Sequence, residues 1–422
     1  MLPRMASALL MLILAVFVLP SIVGLYAWAL LGLTACQSVS DAAIRQVSVQ
    51  ALMTRAGFRF LHHYRVAAAI GGVAWMLLVG ATLHWAYGDK YSAEIFAMLP
   101  LVLVPVVSAA GAVPLAFLQI QRQWSWLAAA QFGSAITSLA VTLPILLSQR
   151  SLLAPTLQLL LSETIILVFI VVRARNLGLS RYESLLSGGH FPRRIFWTAA
   201  LDGLLGWTQG QSDRLMIGFL ASTATLGSYT TAYSASRSVG EAMSVGTANL
   251  LRPELSSLGL EDSGRIRVTA EKHLLRAVYS ATGVVLITWI GTHFVLRNIL
   301  SSSWSEALLA IPILALTSIP IVVSWSLTVI LVAQGRLSRT IPLRVVGIIM
   351  SVGIGLAATI DLSSASWVAL SRDVLILVTQ AIIIGQAAPR RALVHALTIT
   401  FALGATLLLI AAFVPGQDFV AL

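Results

Sequence analysis

The chain of 422 residues is 58% apolar, carries a formal charge on only 10% of its residues and has a net charge of +11. A water-soluble domain carries about 25% charged residues, so this inventory cannot solvate a surface of this size. With a mean hydropathy of +0.90, the composition excludes a soluble enzyme, a nucleic-acid binder and a disordered tail, and it points to an all-α polytopic membrane protein.

A bilayer-spanning helix needs about 20 mostly apolar residues. In chain order such runs cover approximately 5–20, 23–44, 66–88, 95–118, 126–148, 152–174, 195–220, 227–250, 274–297, 305–333, 341–360, 365–388 and 392–414. This predicts 12 to 13 transmembrane helices, an even dozen plus the last run. Twenty of the 27 basic residues fall in loops on one side, including those around Arg55–Arg65, Arg173–Arg194, Arg252–Arg276 and Arg390-Arg391. The other side holds only Lys90, Arg150 and Arg297. By the positive-inside rule the crowded side is cytoplasmic, which places the N-terminus inside a membrane crossed many times. All connections are short, and nothing outside the membrane is long enough for a catalytic domain. Trp85, Tyr87, Tyr91 and Trp304 fall at one set of helix ends and Trp124, Trp126 and Trp197 at the other, as an interfacial aromatic belt requires.

Two helices open alike. Gly24-Leu25-Tyr26-Ala27-Trp28-Ala29 and Gly227-Ser228-Tyr229-Thr230-Thr231-Ala232 share Gly-x-Tyr-x-x-Ala at an offset of 203 residues. Pro105 and Pro114 interrupt the fourth run, and Pro312 and Pro320 the tenth. These echoes favour two six-helix halves of like orientation, with substrate between them. The expected division is a six-helix lobe over 1–176, a basic cytoplasmic linker over 177–194, a second lobe over 195–390 and an extra helix over 391–422. Leu33-Thr34-Ala35-Cys36 resembles a lipoprotein cleavage box, but the apolar stretch before it far exceeds the roughly 7–15 residues of a signal-peptide core.

Polar residues line single faces of three of these helices. Thr34, Gln37, Asp41, Arg45 and Ser48 step along the second, and Asp202, Gly206, Gln209 and Asp213, with Arg214 adjacent, along the seventh. Thr230, Ser234, Arg237, Glu241 and Ser244 do the same on the eighth. Asp41 with Arg45, and Arg237 with Glu241, are i,i+4 pairs that can neutralise each other. A charge at mid-helix nevertheless costs about 2.5–3.5 kcal/mol to insert, so such residues tend to face a cavity. Arg45, Arg237, Arg214 and Arg372 are therefore candidates for binding an anionic group, with Asp373 beside the last. Asp41, Asp202, Asp213, Gln209 and Glu241 are candidates for polar lining or ion coupling.

Cys36 is the only cysteine, and the histidines form no metal-ligand spacing. There is no phosphate-binding loop, no His-Glu-x-x-His and no Gly-x-Ser-x-Gly. No cofactor or metal is expected, and the chain reads as a transporter, not an enzyme.

The run Asp213-Arg214-Leu215-Met216-Ile217-Gly218, the elements Leu226-Gly227-Ser228-Tyr229 and Ala232-Tyr233, and Arg252-Pro253-Glu254-Leu255-Ser256 resemble the second lobe of the lipid-linked oligosaccharide flippases. These belong to the superfamily that also holds multidrug and toxin extruders. Gln334-Gly335-Arg336 and the stretch from Val23 to Arg45 are similar to that branch as well. The resemblance implies two six-helix bundles related by a pseudo-two-fold axis, enclosing a V-shaped central cavity. It implies translocation of an undecaprenyl-pyrophosphate-linked oligosaccharide, for O-antigen, capsule or exopolysaccharide, from the cytoplasmic to the periplasmic leaflet by alternating access. Arg45 and Arg237 would meet the pyrophosphate. The partners implied are the lipid-linked oligosaccharide, membrane lipids, a polysaccharide polymerase with its chain-length machinery, and H+ or Na+ as coupling ion. The alternative on the same fold is an ion-coupled extruder of organic cations, which calls for a net acidic lining.

Overall fold

Backbone polar groups find no partners in lipid, so a chain this apolar has to satisfy them inside helices. The computed structural model describes residues 2–51, 54–179, 181–182, 193–256, 263–334 and 339–413, apart from the side chains of 2–8, 40–51, 193–195, 198–199, 202, 253, 256, 263, 332–333 and 411–413. The described elements are α1 (Leu2–Phe17), α2 (Pro20–Ala51), α3 (Arg55–Ala97), α4 (Val104–Ile120), α5 (Trp124–Gln149), α6 (Leu153–Asn176) and α7 (Arg193–Leu220). They continue with α8 (Thr223–Ser256), α9 (Ser263–Gly291), α10 (Ser305–Leu316), α11 (Ser318–Ala333), α12 (Thr340–Ala358), α13 (Leu362–Ile384) and α14 (Arg390–Phe413). No strand occurs among the described residues, and the all-α polytopic membrane fold is as expected.

Every apolar run coincides with a helix or a broken pair of helices. Nine helices among the described residues are long and apolar enough to cross a membrane, or ten when α10 and α11 count as one span. Three of the expected spans fall outside that set for physical reasons. Helix α1 has 16 residues, short of the roughly 17–25 needed, and α7 and α8 are diluted by their polar stripes. Helix α3 has 43 residues, about 65 Å at 1.5 Å per residue, twice the hydrocarbon thickness of about 30 Å. Its excess length starts at the Thr54 cap, whose hydroxyl accepts from the Gly57 N–H at 3.1 Å. Beyond the apolar run, non-helical angles at Tyr91 kink it.

Of the four expected interruptions, Pro105 and Pro320 stand at breaks, whereas Pro114 and Pro312 lie inside α4 and α10. A proline clashes with the carbonyl four residues earlier; for Pro320 that residue is Leu316, where α10 ends, and α11 departs at 41°. Pro105 stands in the first turn of α4, directly after a 3-10 turn over Leu99–Leu103. Trp85, Trp124 and Trp197 are exposed, whereas Trp304, expected in the interfacial belt, is fully buried against the protein.

Residues 25–211 form one compact unit, and residues 3–24 with 212–422 another. In the first unit Phe58, Leu61, Phe117, Ile170 and Phe196 share an apolar cluster. There α5 and α6 are joined by a polar seam: Gln158 Nε2 donates to Ser138 Oγ at 3.3 Å and Ser162 Oγ to Ser134 Oγ at 3.4 Å. Small hydroxyl residues of this kind let membrane helices approach closely. In the second unit α8, α9, α11, α13 and α14 share a core that includes Leu251, Leu274, Val323, Leu377 and Ala396. The Glu271 carboxylate of α9 accepts from the Arg391 N–H at 2.7 Å, capping α14, where negative charge at a helix N-terminus is favourable.

The repeated glycines have a direct steric purpose. A Cβ on Gly24 would lie 1.8 Å from the Thr223 carbonyl oxygen, and one on Gly227 1.9 Å from that of Pro20. The first turns of α2 and α8 therefore cross backbone to backbone, each glycine at the other helix's start. Both obstacles are backbone atoms that no rotamer change can clear. Gly24→Ala or Gly227→Ala should each destabilise the protein by about 1–3 kcal/mol, read as a lower unfolding temperature in detergent. Gly71→Ala, with open space around the new methyl, should leave that temperature unchanged or raise it.

Candidate functional site

Three helices, α7, α8 and α13, bring their charges together at one buried point, and α12 adds a hydroxyl. Helix α8 starts at a cap, where the Ser222 hydroxyl accepts from the Thr225 N–H at 3.1 Å. Helix α13 starts likewise, with Asp361 Oδ1 accepting from the Ser364 N–H at 2.7 Å. Arg237 lies about 21 Å along α8 from its start and Arg372 about 15 Å along α13, at 1.5 Å per residue. Both guanidinium groups are therefore carried well inside their helices, away from either end. Asp213 sits in the last two turns of α7, before the short connection to α8.

Arg372 is firmly held. Its Nε donates to Asp373 Oδ1 at 3.0 Å and its Nη1 to Ser351 Oγ of α12 at 3.0 Å, and its Nη2 lies 3.8 Å from Asp213 Oδ2. Ser351 is tied in turn to Ser212 at 2.7 Å. Asp213, 1% exposed, accepts from the Tyr229 hydroxyl at 2.9 Å and from the Arg214 backbone N–H at 2.9 Å. Arg237 has three acidic neighbours: Asp373 at 3.3 Å, Glu241 at 3.6 Å and Asp213 at 4.0 Å. Tyr233 donates its hydroxyl to Glu241. Its ring carries the Arg214 guanidinium at 3.9 Å and that of Arg237 at 4.9 Å.

Among the described residues the formal charges balance, three guanidinium groups against three carboxylates. Desolvating an ion is costly enough that buried charges persist only with close partners and further hydrogen bonds. Tyr229, Ser351 and Ser212 supply those bonds here. The cluster has no arrangement of nucleophile and base. What it offers chemically is a set of fixed and semi-fixed guanidinium groups, suited to binding phosphate oxygens.

Of the sequence candidates, the structure brings together Asp213, Arg214, Arg237, Glu241 and Arg372. Gln209 is half-buried one turn before Asp213 on α7. The side chains of Asp41, Arg45 and Asp202 lie outside the described residues, as do Gly335 and Arg336. Sequence reasoning missed Tyr229, Tyr233, Ser351 and Ser212, and it took Asp373 only as a neighbour of Arg372. For the tyrosines the signal was present: 229, 233, 237 and 241 step by four along one face of α8.

The pairing of Asp213 with Arg372 can be tested by a double-mutant cycle. Asp213→Asn and Arg372→Met each leave a buried partner uncompensated and should cost about 3–5 kcal/mol. The double variant should cost less than their sum by at least about 1 kcal/mol, measured by thermal or denaturant unfolding in detergent.

Comparison with known proteins adds to this geometry. The computed structure is similar to a lipid II flippase MurJ in an inward closed conformation, with a TM-score of 0.62 at 11% identity, covering 98% of this chain and 93% of that one. It is also similar to an inward-facing multidrug resistance transporter of the MATE family, in the MOP superfamily, with a TM-score of 0.52 at 13% identity, covering 96% and 95%. At such identities the likeness establishes the fold. No curated protein matches the chain. The profile of one family matches residues 13–309. With more than two thirds of its length matched, this multi-pass membrane chain belongs to the polysaccharide biosynthesis protein family.

Proposed function

We propose that the protein is a flippase that carries a lipid-linked oligosaccharide, attached through undecaprenyl pyrophosphate, from the cytoplasmic to the periplasmic leaflet of a bacterial inner membrane. The observation that carries this reading is the bracket of two guanidinium groups, Arg214 and Arg237, on the ring of Tyr233 at mid-helix depth. Such a pair suits a pyrophosphate, and the interior of a membrane protein is an expensive place to keep it without a ligand. Membership of a polysaccharide biosynthesis family supports a glycan-bearing substrate. The glycan would serve O-antigen, capsule or exopolysaccharide synthesis, with a polymerase and its chain-length machinery acting afterwards.

In this reading the lobes 1–176 and 195–390, joined by the basic linker 177–194 and followed by the extra helix 391–422, rock about a pseudo-two-fold axis to open a V-shaped cavity alternately to each side. The N-terminus is cytoplasmic. Arg45, on the polar stripe of α2, is the first lobe's candidate for the pyrophosphate, and Arg372 backs the site in the second. Coupling to H+ or Na+ would fall to Asp41, Asp202 or the half-buried Glu241, because the Asp213 side chain is 1% exposed. Gln209 would hydrate the sugars. The alternative, extrusion of an organic cation, requires carboxylates in surplus, and among the described residues the cluster has none.

Reconstituted wild-type protein should speed translocation of a lipid-linked oligosaccharide over empty liposomes. Arg237→Ala should lower that rate by about tenfold or more, the equivalent of one charge-assisted contact of about 1.4 kcal/mol. Equal rates for the variant and wild type would remove Arg237 from the site. No acceleration by wild type, with efflux of an organic cation instead, would replace the function.

A further inference from the structure

We propose that Glu241 is a built-in competitor of the substrate's pyrophosphate: its carboxylate holds Arg237 in the empty protein and is displaced when phosphate oxygens arrive. This rests on the anionic-substrate reading above and adds to it the residue that sets how tightly the anion is held.

The two buried guanidinium groups of α8 and α13 differ in how they are held. Arg372 makes two hydrogen bonds of 3.0 Å and is 4% exposed. Arg237 has its acidic neighbours at 3.3–4.0 Å, and its Nε and Nη1, both buried, make no hydrogen bond. Asp373 Oδ2, opposite Nη1, makes none either. A desolvated N–H with only a distant charge for company gains by accepting a closer oxygen. Arg372 is thus a fixed internal counter-ion, while Arg237 is available.

The three acids differ in the same sense. Asp213 and Asp373 are locked in the dry part of the cluster, with side chains 1% and 7% exposed. The Glu241 side chain is 24% exposed. A carboxylate that accessible at mid-helix cannot face hydrocarbon, so it faces an aqueous space. One turn of α8 separates it from Arg237, and its flexible stem lets it turn outward without moving the backbone. Its carboxylate also accepts from the Tyr233 hydroxyl, on the same ring that carries Arg214 and Arg237. Half-buried Glu241 and Arg214 therefore flank the buried Tyr233 and Arg237, and Glu241 is the most exposed of the described carboxylates in the cluster.

Charge decides the exchange. With Glu241 against Arg237 the described charges of the cluster sum to zero, and an added pyrophosphate would make their sum strongly negative. When the carboxylate swings into water, the phosphate inherits Arg237 together with Arg214. On release, Glu241 returns and neutralises the site. A carrier has to let go of its cargo as well as bind it, and an internal anion lowers affinity enough for that.

The test uses full-length purified protein and inorganic pyrophosphate, with binding read by titration calorimetry. Glu241→Gln keeps an acceptor for Tyr233 and removes the competing charge, and it should bind pyrophosphate roughly tenfold more tightly than wild type. In proteoliposomes the same variant should flip lipid-linked oligosaccharide more slowly at saturation, because release becomes limiting. Tyr233→Phe, which frees Glu241 while keeping the ring, gives a second reading and should shift affinity in the same direction by a smaller factor. Unchanged or weaker binding by both variants, with binding abolished in Arg237→Ala, would overturn the competitor role and leave the anionic site standing. Binding that Arg237→Ala does not alter would overturn both.

Discussion

The arrangement of the second unit depends on one electrostatic requirement, the neutralisation of guanidinium groups buried well inside their helices. Arg372 meets it by hydrogen bonding to Asp373 and Ser351 and standing near Asp213. Those partners lie on different helices, so the ion pairs fix how α7, α12 and α13 are seated on one another. Tyr229 extends the network to α8 through Asp213. Mutual Coulomb attraction alone rarely repays the desolvation of two ions. The neutral donors and acceptors around this cluster, Tyr229, Ser351 and Ser212, are what make the burial tolerable.

Around that polar centre the helices pack by ordinary apolar burial and close approach. Where the chain needs two backbones in contact it uses glycine, at Gly24 and Gly227. Where it needs to bend a span it uses proline, at Pro320. Helices α7 and α8 have neither the apolarity of their neighbours nor a plain lipid-facing surface, because their stripes serve the charge cluster. The polar helices are those with a chemical task, and the greasy ones are scaffold.

Much of this could be read in the sequence, and the limit lies at long-range pairing. Helix positions follow from hydropathy, because lipid leaves the backbone no alternative. The stripe of α8 and the Arg237–Glu241 pair follow from spacing along one helix. The Gly-x-Tyr-x-x-Ala repeat was visible, but a repeat does not say that its glycines face each other's helix starts. No local pattern links Asp213 to Arg372, which are far apart in sequence, or brings Ser351 to a guanidinium. Tyr229 was recorded as a letter of the repeat, while its bond to Asp213 needs three dimensions. Trp304 was misassigned to the interface because its position at a helix end looks the same whether the ring turns toward lipid or core.

The proposed function turns on how one guanidinium is shared between an internal carboxylate and a phosphate. Arg372 and its aspartates set the frame, Arg237 is offered from it, and Glu241 decides when the offer is open. The most direct measurement is an experimental structure of the protein with a polyprenyl pyrophosphate bound. The account predicts phosphate oxygens within hydrogen-bond distance of Arg237, with Glu241 turned away and Arg372 still on Asp373 and Ser351. A pyrophosphate bound elsewhere, with Arg237 and Glu241 still paired, would contradict it.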